Sequence, residues 1–201
     1  MRGFASMMPW TAMLIGGSVT FAAASETASI EMMPVTEETF IRAEVDARIL
    51  RFIEAGGMNK GLVYDAPTPV DNQAVPRQNR DTLYAGIPID TSEGFTITLP
   101  EVPDGRYMTV YMIDNDHFAI DILSEPGIYE FGPQDTRYIV ALPRVQVLDA
   151  SDENDVEIAR GLLAQVEVTS GSMEPKTANW DWAQMMAMRA GLESIDVGRL
   201  P

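Results

Sequence analysis

The stretch from Phe95 to Ile113 limits the possible folds of this chain more than any other, because it reads as two strands joined by a turn. Phe95, Ile97 and Leu99 alternate with threonines, and a period of two is typical of a half-buried β-strand. Residues 103–105, Pro-Asp-Gly, predict a turn, since proline fixes φ and glycine tolerates a positive φ. The sequence therefore predicts an antiparallel hairpin at its centre.

The second arm of this hairpin, Arg106 to Ile113, has large side chains on both of its faces. Tyr107 and Tyr111 share one face, whereas Met108 and Val110 share the other. A strand that is covered on both faces belongs in the interior of a sheet, so we expect this arm to be a central strand.

Further apolar runs continue the pattern towards the C-terminus. Strands are predicted at 117–123, 128–131 and 138–148, with turns that contain proline and glycine between them. Pro143 interrupts the last run, and we expect it to lie at a sheet edge or a bulge because it cannot donate a ladder hydrogen bond. Roughly six or seven strands at this spacing predict a β-sandwich or a barrel.

Helical periodicity flanks the predicted strands. Thr36 is the expected N-cap of a helix that extends to about Glu54. Ser151 or Asp152 can cap a second helix, and the segment 180–188 predicts a short amphipathic helix. We expect these helices to pack on the sheet.

The charge of the chain excludes several classes of partner. With 14 basic and 30 acidic residues the formal net charge is -16 at pH 7, so the surface repels phosphate backbones and anionic lipid headgroups. We therefore expect no nucleic-acid partner, and membrane contact only through an uncleaved N-terminal segment. The chain has no cysteine, which excludes a disulfide and a thiolate nucleophile.

Residues 1–24 have the pattern of a signal peptide, with Arg2, an apolar stretch, and small residues at Ala22 and Ala24. We predict cleavage before Ser25, a leader at 25–34 and a single β-sandwich domain with flanking helices at 35–201. This places the protein in the periplasm or outside the cell. The alternative is an N-terminal segment that stays uncleaved and anchors the chain in the membrane.

A dense polar run, Asn79-Arg80-Asp81-Thr82-Leu83-Tyr84, leads directly into an apolar strand. This NRDTLY run, a short strand ending in Asp90, a Pro-Gly turn and then Arg106-Tyr107 together resemble the bacterial family called domain of unknown function 1254 (DUF1254). The resemblance covers about residues 57–144. No agreed reaction is attached to the family.

The resemblance implies an antiparallel, jelly-roll-like β-sandwich, here with an N-terminal helix and a C-terminal helix packed on it. In this family the domain is commonly joined to a second β domain, DUF1214, which we expect this chain to lack. A separate DUF1214-like β domain, or a second copy of this chain, is therefore an expected partner.

The NRDTLY run and the arginine at the start of the second hairpin arm supply groups that can bind a ligand. A forked guanidinium, an amide and a phenol can hold a carboxylate or sugar hydroxyls. The candidate ligand-binding residues are Asn79, Arg80, Asp81, Tyr84 and Arg106. The alternative is structural: an Arg80–Asp81 or Arg106–Asp90 ion pair that holds the hairpin together, and in particular a buried or half-buried Asp81 paired with an arginine.

His117 is the only histidine, so sites that need two or three imidazoles are excluded. The catalytic candidates are Asp81, Tyr84 and His117, although a histidine that serves only as a local hydrogen-bond partner of Asp116 or the backbone is the simpler explanation of His117. We expect neither a cofactor nor a metal site. Asp114 and Asp116 leave calcium open as an alternative to a solvated turn.

Three hypotheses about function follow from these patterns. The first is an exported β-sandwich module that binds a small polar ligand or a partner protein. The second is an envelope hydrolase that acts on ester or glycosidic bonds. The third is a structural subunit that pairs with a separate DUF1214-like protein.

Overall fold

The computed structural model describes residues 31–69, 71, 79–173 and 176–194. The predicted signal peptide and the first residues of the predicted leader lie outside this part of the chain. No helix within the described part is long and apolar enough to cross a bilayer.

The described elements alternate little between helix and strand, because most of the strands follow one another directly. In chain order they are α1 (Phe40–Gly56), β1 (Leu62–Val63), β2 (Thr82–Leu99), β3 (Met108–Asp114), β4 (Ala119–Leu123), β5 (Gly127–Phe131), β6 (Tyr138–Gln146), α2 (Glu153–Ala164), β7 (Glu167–Ser172) and α3 (Trp182–Glu193). A short 3-10 turn at Pro103–Gly105 lies between β2 and β3, where the sequence predicts a turn. The predicted hairpin is wrong, because β2 and β3 do not pair with each other and β6 lies between them.

The sheet is antiparallel throughout and is organised around β2, which is 18 residues long. The first half of β2 pairs with β1 and β6, and the sheet then continues through β3 to β4. Beyond an irregularity between Asp90 and Phe95, the second half pairs with β5 and β7. The predicted mainly β fold with flanking helices is confirmed, as is the central position of β3; the sheet stays open rather than closing into a barrel.

The two faces of the sheet are covered by different helices. On one face, Leu83, Ile87 and Ile89 of β2 join β3, β6 and α2 in the largest buried cluster. On the other face, Val45 and Ile49 of α1 join residues of β3 and β6 in a second cluster. Because β-strand side chains alternate, even-numbered positions at the start of β2 face α1.

Gly86 shows how closely α1 approaches the sheet. A Cβ built on Gly86 would lie 2.2 Å from the ring of Phe52, so the helix can reach this depth only over a residue without a side chain. The close approach fixes one end of α1 on the sheet.

Several boundaries differ from the prediction. The first helix begins at Phe40 instead of just after Thr36, because the Thr39 hydroxyl takes up the Thr36 N–H in a turn before it. Strands β1 and β7 carry too few apolar residues for their pattern to be recognised.

The predicted place of Pro143 at an edge or a bulge is wrong. The strand β6 lies between β2 and β3, and Pro143 pairs in register with Val110. On the β2 side, register pairs run up to Tyr84 with Arg144 and resume at Ile87 with Ala141. The missing N–H of the proline thus coincides with a gap in the ladder to β2, so a central strand can accommodate it.

Candidate functional site

A cavity of about 360 Å³ lies on the face of the sheet that α1 covers only in part. Cavity 1, as we name it, has an apolar floor formed by Val45 and Phe52 of α1 and by Val140 and Leu142 of β6. The polar groups on its wall are Arg48, Tyr64, Thr68, Thr82, Tyr84 and His117. No described carboxylate lines it. An apolar pocket with a few convergent polar groups is the usual form of a small-molecule site.

Thr82 is the most informative residue of the cavity wall. It begins β2, pairs with Gln146 and is only 8% exposed, yet its hydroxyl has no hydrogen-bond partner among the described residues. A buried hydroxyl without a partner costs about 1 to 3 kcal/mol. The unpaired hydroxyl of Thr82 therefore lowers the stability of the folded protein at the wall of cavity 1.

Tyr84 and His117 also line cavity 1, so the structure brings together two of the three catalytic candidates. Tyr84 lies on β2, one pleat beyond Thr82 on the same face. His117 follows β3 with a φ of 69°, and its main-chain N–H donates to the carbonyl of Asp114.

The turn that contains His117 uses its acidic groups internally. The carboxylate of Asp114 accepts from the N–H groups of Asp116 and Phe118, while the carboxylate of Asp116 pairs with Arg42 of α1. Among the described residues, no group of three or more acidic or histidine side chains is placed to hold a metal ion.

A second, more open cavity adjoins the first. Cavity 2 has a volume of about 290 Å³ and shares Thr82 with cavity 1. Its lining residues are Asn79, Asp81, Thr82, Tyr107, Arg144 and Gln146. The structure therefore separates Asp81 from Tyr84 and His117, which line the other cavity.

Arg144 organises the polar side of cavity 2. Its guanidinium donates to the hydroxyl of Tyr107 at 2.9 Å and to that of Thr109 at 3.0 Å. The hydrogen bond with Thr109 and the charge of Arg144 lower the pKa of Tyr107, although partial burial opposes them. Register pairs place Arg144 between Tyr84 and Thr109, so one polar row crosses three strands.

The predicted burial and pairing of Asp81 are wrong. Asp81 is exposed, and its main-chain N–H donates to the side chain of Asn79. The Nε of Arg80 donates to the carbonyl of Thr68 at 2.7 Å and so fixes part of the wall of cavity 1. The physical reason is position: Asp81 precedes β2, and burial begins one residue later.

Arg106 is buried and lies away from both cavities, with a side chain that is 2% exposed. It pairs with Asp155 of α2, which also accepts from the N–H groups of Leu148 and Asp149. The hydrogen bond from Arg106, together with these main-chain bonds, lowers the pKa of Asp155 to about 2. Asp90, the partner considered for Arg106, pairs instead with Arg137.

Two residues of the cavities escaped the sequence interpretation. Arg48 lies three positions after Val45 and four before Phe52, so the helical period places it beside the face that meets the sheet, with its side chain exposed. Thr82 stands inside the polar run that the sequence singled out, and its unpaired hydroxyl could be recognised only from the fold.

These features define a mainly β protein with an amphipathic cavity between a helix and an antiparallel sheet. Residues 58–144 match the family model described as "Protein of unknown function (DUF1254)", which is the family that the sequence resembles. No curated protein matches the chain.

One solved structure with a similar course of the chain is the VPA0106 protein from Vibrio parahaemolyticus. The TM-score is 0.47 and the sequence identity is 16%, over 67% of this chain and 37% of that one. The chain thus spans little more than a third of that protein's length, and the likeness indicates nothing about activity.

Proposed function

We propose that this protein is a binding module that takes up a small amphipathic ligand in cavity 1. The unpartnered, buried hydroxyl of Thr82 supports this function most directly. A protein that gains nothing from this hydroxyl would be more stable with an apolar side chain of the same shape. The hydroxyl is best explained by a partner that arrives from outside the chain.

The composition of the wall favours recognition over turnover. Val45, Phe52 and Leu142 offer apolar surface, and Arg48 and Tyr84 offer hydrogen-bond donors. This combination buries an apolar body and orients a polar head. The small polar ligand expected from the sequence is thereby refined to one with a substantial apolar part.

Hydrolysis is a second candidate, because His117 and Tyr84 line the same cavity. A histidine near a hydroxyl can act as a general base. Asp81, which the hydrolase hypothesis included, lies in cavity 2. Replacement of His117 tests this candidate, and asparagine is the suitable substitute because it tolerates the left-handed φ of 69°. Undiminished hydrolytic activity in His117→Asn would exclude the histidine as the catalyst.

The binding function is tested with 1-octanol as a neutral amphipathic probe. We expect ligand-observed NMR to detect binding to the wild type and to Ile120→Trp, a control at a half-buried position on β4 that does not line cavity 1. Leu142→Trp, which narrows cavity 1, should lose the signal. Circular dichroism confirms that both variants are folded. Equal binding by folded Leu142→Trp would overturn the assignment of the site.

A further inference from the structure

We propose that the ligand of cavity 1 is a small monocarboxylate with an apolar body, held by the guanidinium of Arg48 and the hydroxyls of Thr82 and Tyr84. This inference rests on the proposed function, because it names the class of ligand for the same cavity. It is carried by how the charges of the chain are distributed around that cavity.

The arginines within the described part of the chain divide into two groups by their partners. Those that pair with a carboxylate are Arg42, Arg106, Arg137, Arg160 and Arg189. Arg48, Arg51, Arg80 and Arg144 form no ion pair with any described carboxylate. Four of these nine arginines thus have no carboxylate partner, although the chain has 30 acidic residues against 14 basic ones.

The unpaired arginines gather around the two cavities. Arg48 lines cavity 1, Arg144 lines cavity 2, and Arg80 holds the carbonyl of Thr68 on the wall of cavity 1. Only Arg51 lies away from them. An arginine that pairs with no described carboxylate is available to an anion from outside.

The absence of a described carboxylate from the lining matters because the chain as a whole is strongly acidic. At physiological ionic strength, charges separated by more than about 8 Å are largely screened. The described lining, which has a guanidinium and no carboxylate, therefore decides which headgroup is preferred inside cavity 1. An amine headgroup would instead meet Arg48 as a like charge.

A single negative charge fits the wall better than a double one. Among the described lining residues Arg48 alone has a permanent positive charge, and a guanidinium pairs with a carboxylate through two parallel hydrogen bonds. A doubly charged phosphate would leave one charge without a cation in a partly apolar site, which is costly. The hydroxyls of Thr82 and Tyr84 can donate to the remaining lone pairs of a carboxylate.

Three probes with one apolar body and different headgroups test this inference: octanoate, 1-octanol and octylamine. Isothermal titration to the full-length protein should give a Kd for octanoate about tenfold lower than that for 1-octanol, since a charge-assisted hydrogen bond is worth at least one factor of ten. Octylamine should bind more weakly than either.

Two arginine variants that change the net charge equally identify the group responsible. Arg48→Gln should bring the Kd of octanoate to within about twofold of that of 1-octanol. Arg51→Gln, on the same helix but outside the cavity lining, should keep the tenfold preference.

The outcomes separate this inference from the proposed function. If 1-octanol binds as tightly as octanoate to the wild type, cavity 1 is a binding site but the carboxylate inference is wrong. A preference that survives in Arg48→Gln overturns the role of Arg48. If none of the three probes binds, the proposed function itself fails.

Discussion

The two faces of the sheet differ in how their buried polar groups are paired. On the face covered by α2, the charge of Arg106 is buried against Asp155, which also collects two main-chain donors. On the face covered by α1, helix packing ends before the polar row of β2, and the hydroxyl of Thr82 is left unpaired. We call the first face closed, because its buried charge has a partner within the chain, and the second face open, because the hydroxyl of Thr82 has none among the described residues.

This difference indicates which polar residues hold the fold and which remain available for binding. A polar group whose partners all come from the chain contributes to stability and has little left to offer a ligand. A buried group without a partner contributes to stability only when something else arrives. The following predictions test whether the two faces differ in this way.

The largest effect is expected on the closed face. Arg106→Leu removes a buried arginine from its ion pair and should lower the free energy of unfolding by about 3 to 5 kcal/mol. Chemical denaturation measures the change. Arg42→Leu is the matched control, because the side chains of Arg42 and its partner Asp116 are 43% and 39% exposed and their ion pair should be worth about 1 kcal/mol or less. Equal stability of the two variants would contradict the closed character of this face.

Acid should weaken the same face. The pKa of Asp155 is about 2 in the folded protein against 3.8 without its partners, so the unfolded chain binds its proton first. The contribution of Asp155 is therefore complete above about pH 4 and is lost as the pH falls from about 4 to about 2. Denaturation curves at pH 5, 4, 3 and 2 follow the loss.

A comparison with Arg106→Leu isolates the part due to Asp155. The variant should lose less stability than the wild type over the same acid range, because Asp155 has already lost its partner. Asp46, whose pKa is raised by burial, acts in the opposite direction, but it does so equally in both proteins. Parallel acid curves for wild type and variant would show that the pair does not control the response.

Most of the fold was accessible from the sequence because it depends on local signals. The alternation in β2 and β3, the Pro-Asp-Gly turn and the Asp152 cap of α2 each report on their own neighbourhood. Ion-pair partners were not accessible: Arg106 lies 49 positions from Asp155, and many nearer acids compete for it by sequence distance. Thr82 could be recognised as part of a motif, but the missing hydrogen-bond partner of its hydroxyl can be seen only in the folded structure.

A glycine on each face gives the next test. Gly86→Ala should lower the free energy of unfolding by about 1 to 3 kcal/mol, because the new methyl group meets the ring of Phe52. Phe52 also lines cavity 1, so the displaced ring should weaken binding of 1-octanol. Gly161→Ala on α2 is the control: its Cβ meets no described atom within 4 Å, and alanine favours a helix by up to about 1 kcal/mol. Destabilisation by Gly161→Ala as well would remove the contrast.

The smallest expected change in stability is an increase, and it tests the open face directly. Thr82→Val keeps the shape of the side chain and removes the unpaired hydroxyl, so the free energy of unfolding should rise by about 1 kcal/mol. The same substitution should weaken octanoate binding several-fold. Thr96→Val, at a half-buried position further along β2, controls for the general preference of strands for valine.

If removal of this one hydroxyl raised stability and weakened binding, packing alone could hardly explain both changes. A loss of stability in Thr82→Val would mean that the hydroxyl has a hydrogen-bond partner within the protein. The contrast between the open and the closed face would then disappear. Thr82→Ser distinguishes the remaining case, because it keeps the hydroxyl and removes the methyl group. If octanoate binding follows the hydroxyl through all three proteins while stability does not, Thr82 is retained for its ligand and not for the fold.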